Sequence, residues 1–184
     1  MKTPLRHPPA APTLPSRREF LTTLAGSVPA AVLLDAEAPR ALSLVHTHTN
    51  ERLRVEYYSG GRYLPDALSS LNHFLRDFRT GEVYPIEPAV FDLLHRLAGS
   101  AGCRQPFHVI SGYRSPVTNA TLRARSEGVA ARSLHMVGQA ADIRPTDVSL
   151  ARLRDCALAL RAGGVGYYPS SNFVHVDVGR VRSW

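Results

Sequence analysis

A chain of 184 residues, 44% of them hydrophobic, has room for one domain of ordinary size plus a leader, and two folded domains would be crowded. The formal charge of +7 and a pI near 10.0 point to an anionic partner, which charge alone leaves open among nucleic acid, membrane surface and acidic polymer. The two cysteines, Cys103 and Cys156, lie far apart without CxxC spacing, which argues against a cysteine zinc site and leaves one disulfide or two buried thiols as the choices.

Residues 1–41 read as a leader. They begin Pro-rich and basic, reach Ser16-Arg17-Arg18-Glu19-Phe20-Leu21, and continue through a moderately apolar run to Leu34. Adjacent arginines ahead of Phe-Leu and a short apolar region resemble a twin-arginine export signal, which carries an already folded protein across the inner membrane by the twin-arginine export machinery. Pro29 argues against an amphipathic first helix. Ala36-Glu37-Ala38 fits the small-x-small cleavage rule but is followed by Pro39, so an uncleaved tether is the alternative. Beyond the leader nothing approaches the roughly 20 apolar residues of a membrane span. The remaining residues, 42–184, form the domain and keep most of the positive charge.

In that domain "ALSLVHTHTNERLRVEYY" alternates as two strands joined at Thr49-Asn50, with a turn at Ser59-Gly60-Gly61-Arg62 after them. His46 and His48 read as a solvated strand face, having no acidic partner close in sequence. "PDALSSLNHFLRDFRTG" carries Leu68, Leu71, Phe74, Leu75 and Phe78 at helical spacing, with Asp66 to cap the start and Gly81 to end it. A second helix follows over "EPAVFDLLHRLAGSAG", with Pro88 in its first turn and Gly99 at its end. "PFHVISGYRS" is a short strand running into a turn, and "SPVTNATLRARSEGVA" a helix and loop. "VSLARLRDCALALRAGG" is a helix with Leu150, Leu153, Ala157 and Leu160 on one face, closed by Gly163-Gly164. "GVGYY" and "FVHVDVG" are two strands around "PSSN". Helices and strands mixed without strict alternation predict an α+β domain with helices packed on a mostly antiparallel sheet.

Two stretches carry candidate chemistry. "SLHMVGQAADI" sets His135 and Asp142 seven positions apart, with only small or uncharged side chains between them, and "NFVHVDVG" offers His175. Imidazole nitrogen and carboxylate oxygen suit zinc, and a catalytic zinc takes three protein ligands with water in the fourth place. A helical pair of ligands would sit near one turn apart. A seven-residue gap containing Gly138 suits a loop leading into a strand. Each of the three residues, taken singly, is as compatible with a satisfied core or surface group.

Together "SGYRSPVTN", "SLHMVGQAADI" and "GGVGYYPSSNFVHVDVGRVRSW" resemble, in order and spacing, the zinc D-Ala-D-Ala carboxypeptidase and hedgehog-type peptidase superfamily. Within it they are most similar to the YcbK-like branch of murein endopeptidases, over about Leu42 to Trp184. The resemblance implies a hedgehog/DD-peptidase-like fold and zinc on His135, Asp142 and His175. It also puts Arg114 beside the metal cleft, where a guanidinium can grip a peptide carboxylate through two parallel hydrogen bonds, an ion pair that fixes the loop being its alternative role. Two positions depart from the wider superfamily: Pro169 stands where relatives have a glutamate general base and Phe173 where some have a second histidine. Asp177, on the face of His175 by the strand's period of two, is then the first candidate base, and support of His175 through its other ring nitrogen is its alternative role. Ser133 reads as a bond to a ligand or a cap of the loop, and Asn119, Tyr113 and Tyr168 as polar wall or packing.

The resulting expectation is an exported zinc metallopeptidase acting on peptidoglycan stem peptides or cross-links in the periplasm or cell envelope. A D-Ala-D-Ala-type carboxypeptidase and a zinc-containing wall-binding module without activity are the alternatives, and D,D against L,D bond choice stays open. A nucleic-acid partner is disfavoured, because the arginines are scattered and export would remove the protein from it.

Overall fold

The computed structural model describes residues 38–126 and 128–184, so the twin-arginine stretch and the apolar run to Leu34 lie outside the described residues. Strand β1 (Arg40–His46) takes up Arg40 and Ala41, turns at Asn50 in the left-handed region (φ 58°), and returns as β2 (Arg52–Ser59), with β3 (Arg62–Tyr63) beyond the glycine turn. Helices α1 (Pro65–Phe74) and α2 (Pro88–Ala101) follow. Then come β4 (Phe107–Ser111), α3 (Pro116–Arg125), β5 (Ala140–Arg144), α4 (Leu150–Leu160), β6 (Gly164–Tyr168), β7 (Phe173–Asp177) and β8 (Arg182–Ser183). All eight strands form one sheet in the order β3-β2-β1-β4-β5-β7-β6-β8, antiparallel except where β1 meets β4 and β6 meets β8. The fold is therefore α+β with helices on a mostly antiparallel sheet, as the element pattern predicts.

One face of this sheet is the core. Leu42 and Leu44, Phe107 and Val109, Ile143, Val174 and Val176 are buried at alternate positions, against Phe91, Leu94 and Leu97 of α2 and Leu153 and Ala157 of α4. Burial of each large apolar side chain is worth about 1.5–3 kcal/mol, which holds the helices on that face. Ser115 and Ser149 cap α3 and α4 by accepting from the Thr118 and Arg152 amides, both at 3.2 Å. Cys103 and Cys156 are half-buried free thiols. Among the described residues no helix is long and apolar enough to cross a membrane.

Three local expectations are corrected. Helix α1 stops at Phe74 instead of running to Gly81, because the Leu75 carbonyl turns to accept from the Tyr113 amide (2.7 Å) and Asp77 is drawn into the interior. Helix α4 ends with Arg161 in the left-handed region (φ 47°), ahead of Gly163-Gly164. Those glycines lie against Asp177, which a side chain at either position would overlap. His46 is fully buried against Phe74 and Phe78, not solvated, and His48 lies in the turn stacked on Phe78 at 4.1 Å.

Candidate metal centre

A single 3-10 turn, Leu134–Val137, presents His135. Gly138 follows with φ 68°, and a side chain there would overlap the Pro85 carbonyl, so glycine is required for the reversal into β5. Asp142 on β5 is paired directly with His175 on β7. Ile143 and Val174, their neighbours along the strands, point to the core, so the aspartate and histidine share the opposite face. All three residues are buried.

The atoms that meet are His135 Nε2, Asp142 Oδ1 and His175 Nδ1. They form a triangle with sides of 3.2 Å (His135 to Asp142), 3.2 Å (His135 to His175) and 2.9 Å (His175 to Asp142). A tetrahedral zinc with bonds of about 2.0–2.1 Å holds its ligand atoms roughly 3.3 Å apart, so the triangle has the size of one face of that polyhedron.

The outer ring atoms fix what the inner ones carry. His135 Nδ1 lies 2.7 Å from the Gly112 carbonyl, which can only accept, so Nδ1 bears the proton and Nε2 is a bare lone pair. His175 Nε2 lies 3.0 Å from Asp177 Oδ2 and donates to it, which leaves Nδ1 as the atom turned toward Asp142 and His135. Two inner imidazole nitrogens and a carboxylate oxygen thus face one point, with the outer ring protons already committed to other partners. Such a cluster of donor atoms is neutralised by a cation, which is the sense in which these residues fit zinc. They attract a proton in the same way. Burial works against charge on His175, but hydrogen bonds to Asp142 and Asp177 reverse this and lift its pKa to about 9. Burial would raise the Asp142 carboxyl, and the two histidines instead hold it well below the usual carboxylate range.

Asp177 is completely buried on the far side of the His175 ring, away from the triangle. Its Oδ1 accepts from the Gly164 and Gly179 amides, each at 2.9 Å, and from Arg182 Nη1 at 3.2 Å. Its Oδ2 accepts from His175 and from Arg182 Nη2 at 2.7 Å. Burial alone would raise this carboxyl. The bonds from His175 and Arg182 and the two amides outweigh it and keep the carboxyl ionised.

Arg114 follows β4 in a segment laced to the histidine turn: its amide donates to the His135 carbonyl at 3.2 Å, beside the Gly112–His135 bond. Its Nη2 is 3.6 Å from Asp142 Oδ2, beyond a good hydrogen bond, and its buried Nε has no partner among the described residues. Burial pushes its pKa down. Asp77 holds this segment from beneath, accepting from the Ser115 amide at 2.9 Å and from the Arg79 amide at 3.0 Å. Asp77, Arg182 and the Gly112 carbonyl are the parts of the centre that the sequence reading passed over. A cavity of about 450 Å³ opens over the triangle, walled by Arg114, Arg132, Tyr168, Phe173, Arg182 and Trp184. Asp142 is the only carboxylate among the described residues lining it. Ser133 also lines it, whereas Tyr113 bonds Glu82 at 2.8 Å and Asn119 holds the Ala130 carbonyl at 3.2 Å.

Comparison with known proteins agrees with this geometry. A family profile described as peptidoglycan L,D-endopeptidase MepK matches residues 34–184. The chain is 49% identical over 156 residues to peptidoglycan L,D-endopeptidase MepK of Escherichia coli (strain K12), covering 85% of this chain and 86% of the relative. It is 41% identical over 153 residues to the probable peptidoglycan L,D-endopeptidase MepK of Haemophilus influenzae, covering 83% and 82%. Matched across both halves of the metal centre and over most of its length, the chain belongs to the MepK family of peptidoglycan L,D-endopeptidases.

Proposed function

We propose that the protein is an exported zinc metallopeptidase that hydrolyses peptide cross-links of peptidoglycan, cutting the L,D bonds for which its relatives are named, in the periplasm. The observation that carries the reading is the convergence of His135 Nε2, Asp142 Oδ1 and His175 Nδ1 on one point, with the other nitrogen of each ring held by an acceptor. These three residues would hold zinc, which would supply Lewis acidity toward a peptide carbonyl and water.

The chain's own residues divide the remaining work. Arg114, charged, half-buried and with its Nε unpartnered on the cavity wall, grips a substrate carboxylate and orients the bond to be cut. Asp177 serves as the support of His175 and not as a base: its oxygens are filled by donors and it touches the ring nitrogen that faces away from the cation. Trp184 Nε1 donates to the Tyr168 hydroxyl at 2.6 Å, which leaves the tyrosine's own proton free to stabilise developing negative charge. The residues ahead of β1 act as the twin-arginine leader, and Arg40 and Ala41, paired with β2, belong to the folded domain.

Digestion of purified cross-linked muropeptides, with zinc and with chelator, tests the reading. Cleavage at the cross-link with zinc and none with chelator is expected. No new amino termini at saturating zinc would favour a binding module, and release of a terminal amino acid alone a carboxypeptidase. Export is tested by fusing residues 1–41 to a reporter: Arg17→Lys with Arg18→Lys abolishes its translocation if the leader is read by the twin-arginine machinery.

A further inference from the structure

The sheet face that carries the metal centre continues past it as a basic row. Arg52 is paired with Val45, Val45 with His108, and His108 with Arg144, while Arg54 is paired with Ser43. Paired residues share a face, so Arg52, Val45, His108 and Arg144 form one line across β2, β1, β4 and β5, with Arg54 two positions along β2. Leu44, Phe107, Val109 and Ile143, which intervene along these strands, point into the core under α2 and α4. Arg144 is two residues beyond Asp142 on the same strand, hence on the metal-bearing face and roughly 7 Å along it, and the line crosses three strand gaps, roughly 14 Å in all.

The three arginines of this face are uncompensated. Arg52 and Arg54 are exposed, His108 and Arg144 half-buried, and none of the three arginines makes an ion pair among the described residues. Glu56 at the far edge is the one carboxylate that β1, β2, β4 and β5 place on this face besides Asp142. Burial, and then the charges of Arg144 and Arg52, push the pKa of His108 down, in keeping with one shared positive field. Like charges lined up without internal partners form a surface for an external anion.

We infer that this row is a docking track for the acidic peptide stems of the wall polymer, binding the carboxylates of a stem next to the one presented to the metal centre. The choice of polymer rests on the function proposed above. A stem covalently linked to the one in the cleft meets the track at high effective concentration, which favours it over a separate polyanion. Binding to the track does not require hydrolysis.

Sedimentation of the zinc-loaded protein with purified sacculi on ice, within a minute of mixing, tests the inference. Arg52→Gln with Arg54→Gln is expected to weaken binding roughly fivefold at low salt. The difference should vanish near 1 M salt, where the screening length is about 3 Å. Arg96→Gln with Arg104→Gln, an equal loss of charge at exposed sites off this face, is expected to bind like wild type. Equal binding by both pairs overturns the track. So does undiminished wild-type binding to sacculi whose carboxylates have been amidated, or binding lost only when phosphate-bearing polymers are stripped away. Cleavage is scored separately on soluble muropeptides: wild type that binds by the track yet cuts nothing refutes the hydrolase reading alone, and wild type that cuts while the track pair binds normally refutes the track alone.

Discussion

Replacement of Asp177 by asparagine separates support from base catalysis. If the amide keeps its oxygen at the Oδ1 position, facing the Gly164 and Gly179 amides, its NH2 group points at His175 Nε2–H and at Arg182 Nη2, donor against donor at 3.0 and 2.7 Å. The imidazole then gives up its Nε2 proton and carries one on Nδ1, the atom that belongs to the metal triangle. The reverse orientation sets the NH2 against two backbone amides and leaves them unsatisfied. Either way zinc affinity should fall about 10- to 100-fold, or about 1.4–2.8 kcal/mol, and the fold should lose roughly 2–3 kcal/mol with the broken Arg182 pair. Competition with a chromogenic chelator measures the first and chemical denaturation the second. Muropeptide cleavage should recover in large part at saturating zinc. Unchanged zinc affinity with cleavage abolished at saturation would refute the reasoning and restore Asp177 as the base.

The other predictions concern the ligands, the clamp, its foundation and a buried histidine. His135→Ala should bind no zinc at micromolar concentration by metal analysis, and chelation of wild type should lower its stability by about 4 kcal/mol relative to protein held with zinc at a thousand times its Kd. Arg114→Lys keeps the charge but loses the planar fork, so KM should rise at least tenfold with kcat changing less; steady-state kinetics on a soluble muropeptide decides this. Asp77→Ala strands the Ser115 and Arg79 amides, at a cost of about 2–3 kcal/mol by denaturation, and should raise KM through the displaced Arg114 segment. Burial, then the charge of His48, pushes the pKa of His46 down from 6.5 to about 4, so the unfolded chain takes up this proton first. Stability should fall as pH drops from 6.5 to about 4, by at most about 3 kcal/mol, then level off; an unchanged acid limb in His46→Leu refutes this assignment.

Much of the molecule was legible in the sequence because it rests on local physics. Alternation marked the strands, 3.6-residue spacing the helices, and Gly138 the reversal that carries His135 toward Asp142. Period two put Asp177 on the face of His175. The same rule held a signal that was passed over: His46 is in phase with Leu42 and Leu44 and is buried as they are.

What only the tertiary structure decided are matters of which partner a group finds. The apolar spacing through Leu75 and Phe78 supports a longer helix, and it ends because the Leu75 carbonyl bonds an amide 38 positions on, at Tyr113, while Asp77 bonds Ser115. Nothing local shows that Gly112 presents its carbonyl to His135, or that Asp177 meets the His175 ring nitrogen turned away from Asp142 and His135. Residue type and period fix which face a side chain takes, whereas protonation and hydrogen-bond pairing depend on atoms brought together from distant parts of the chain.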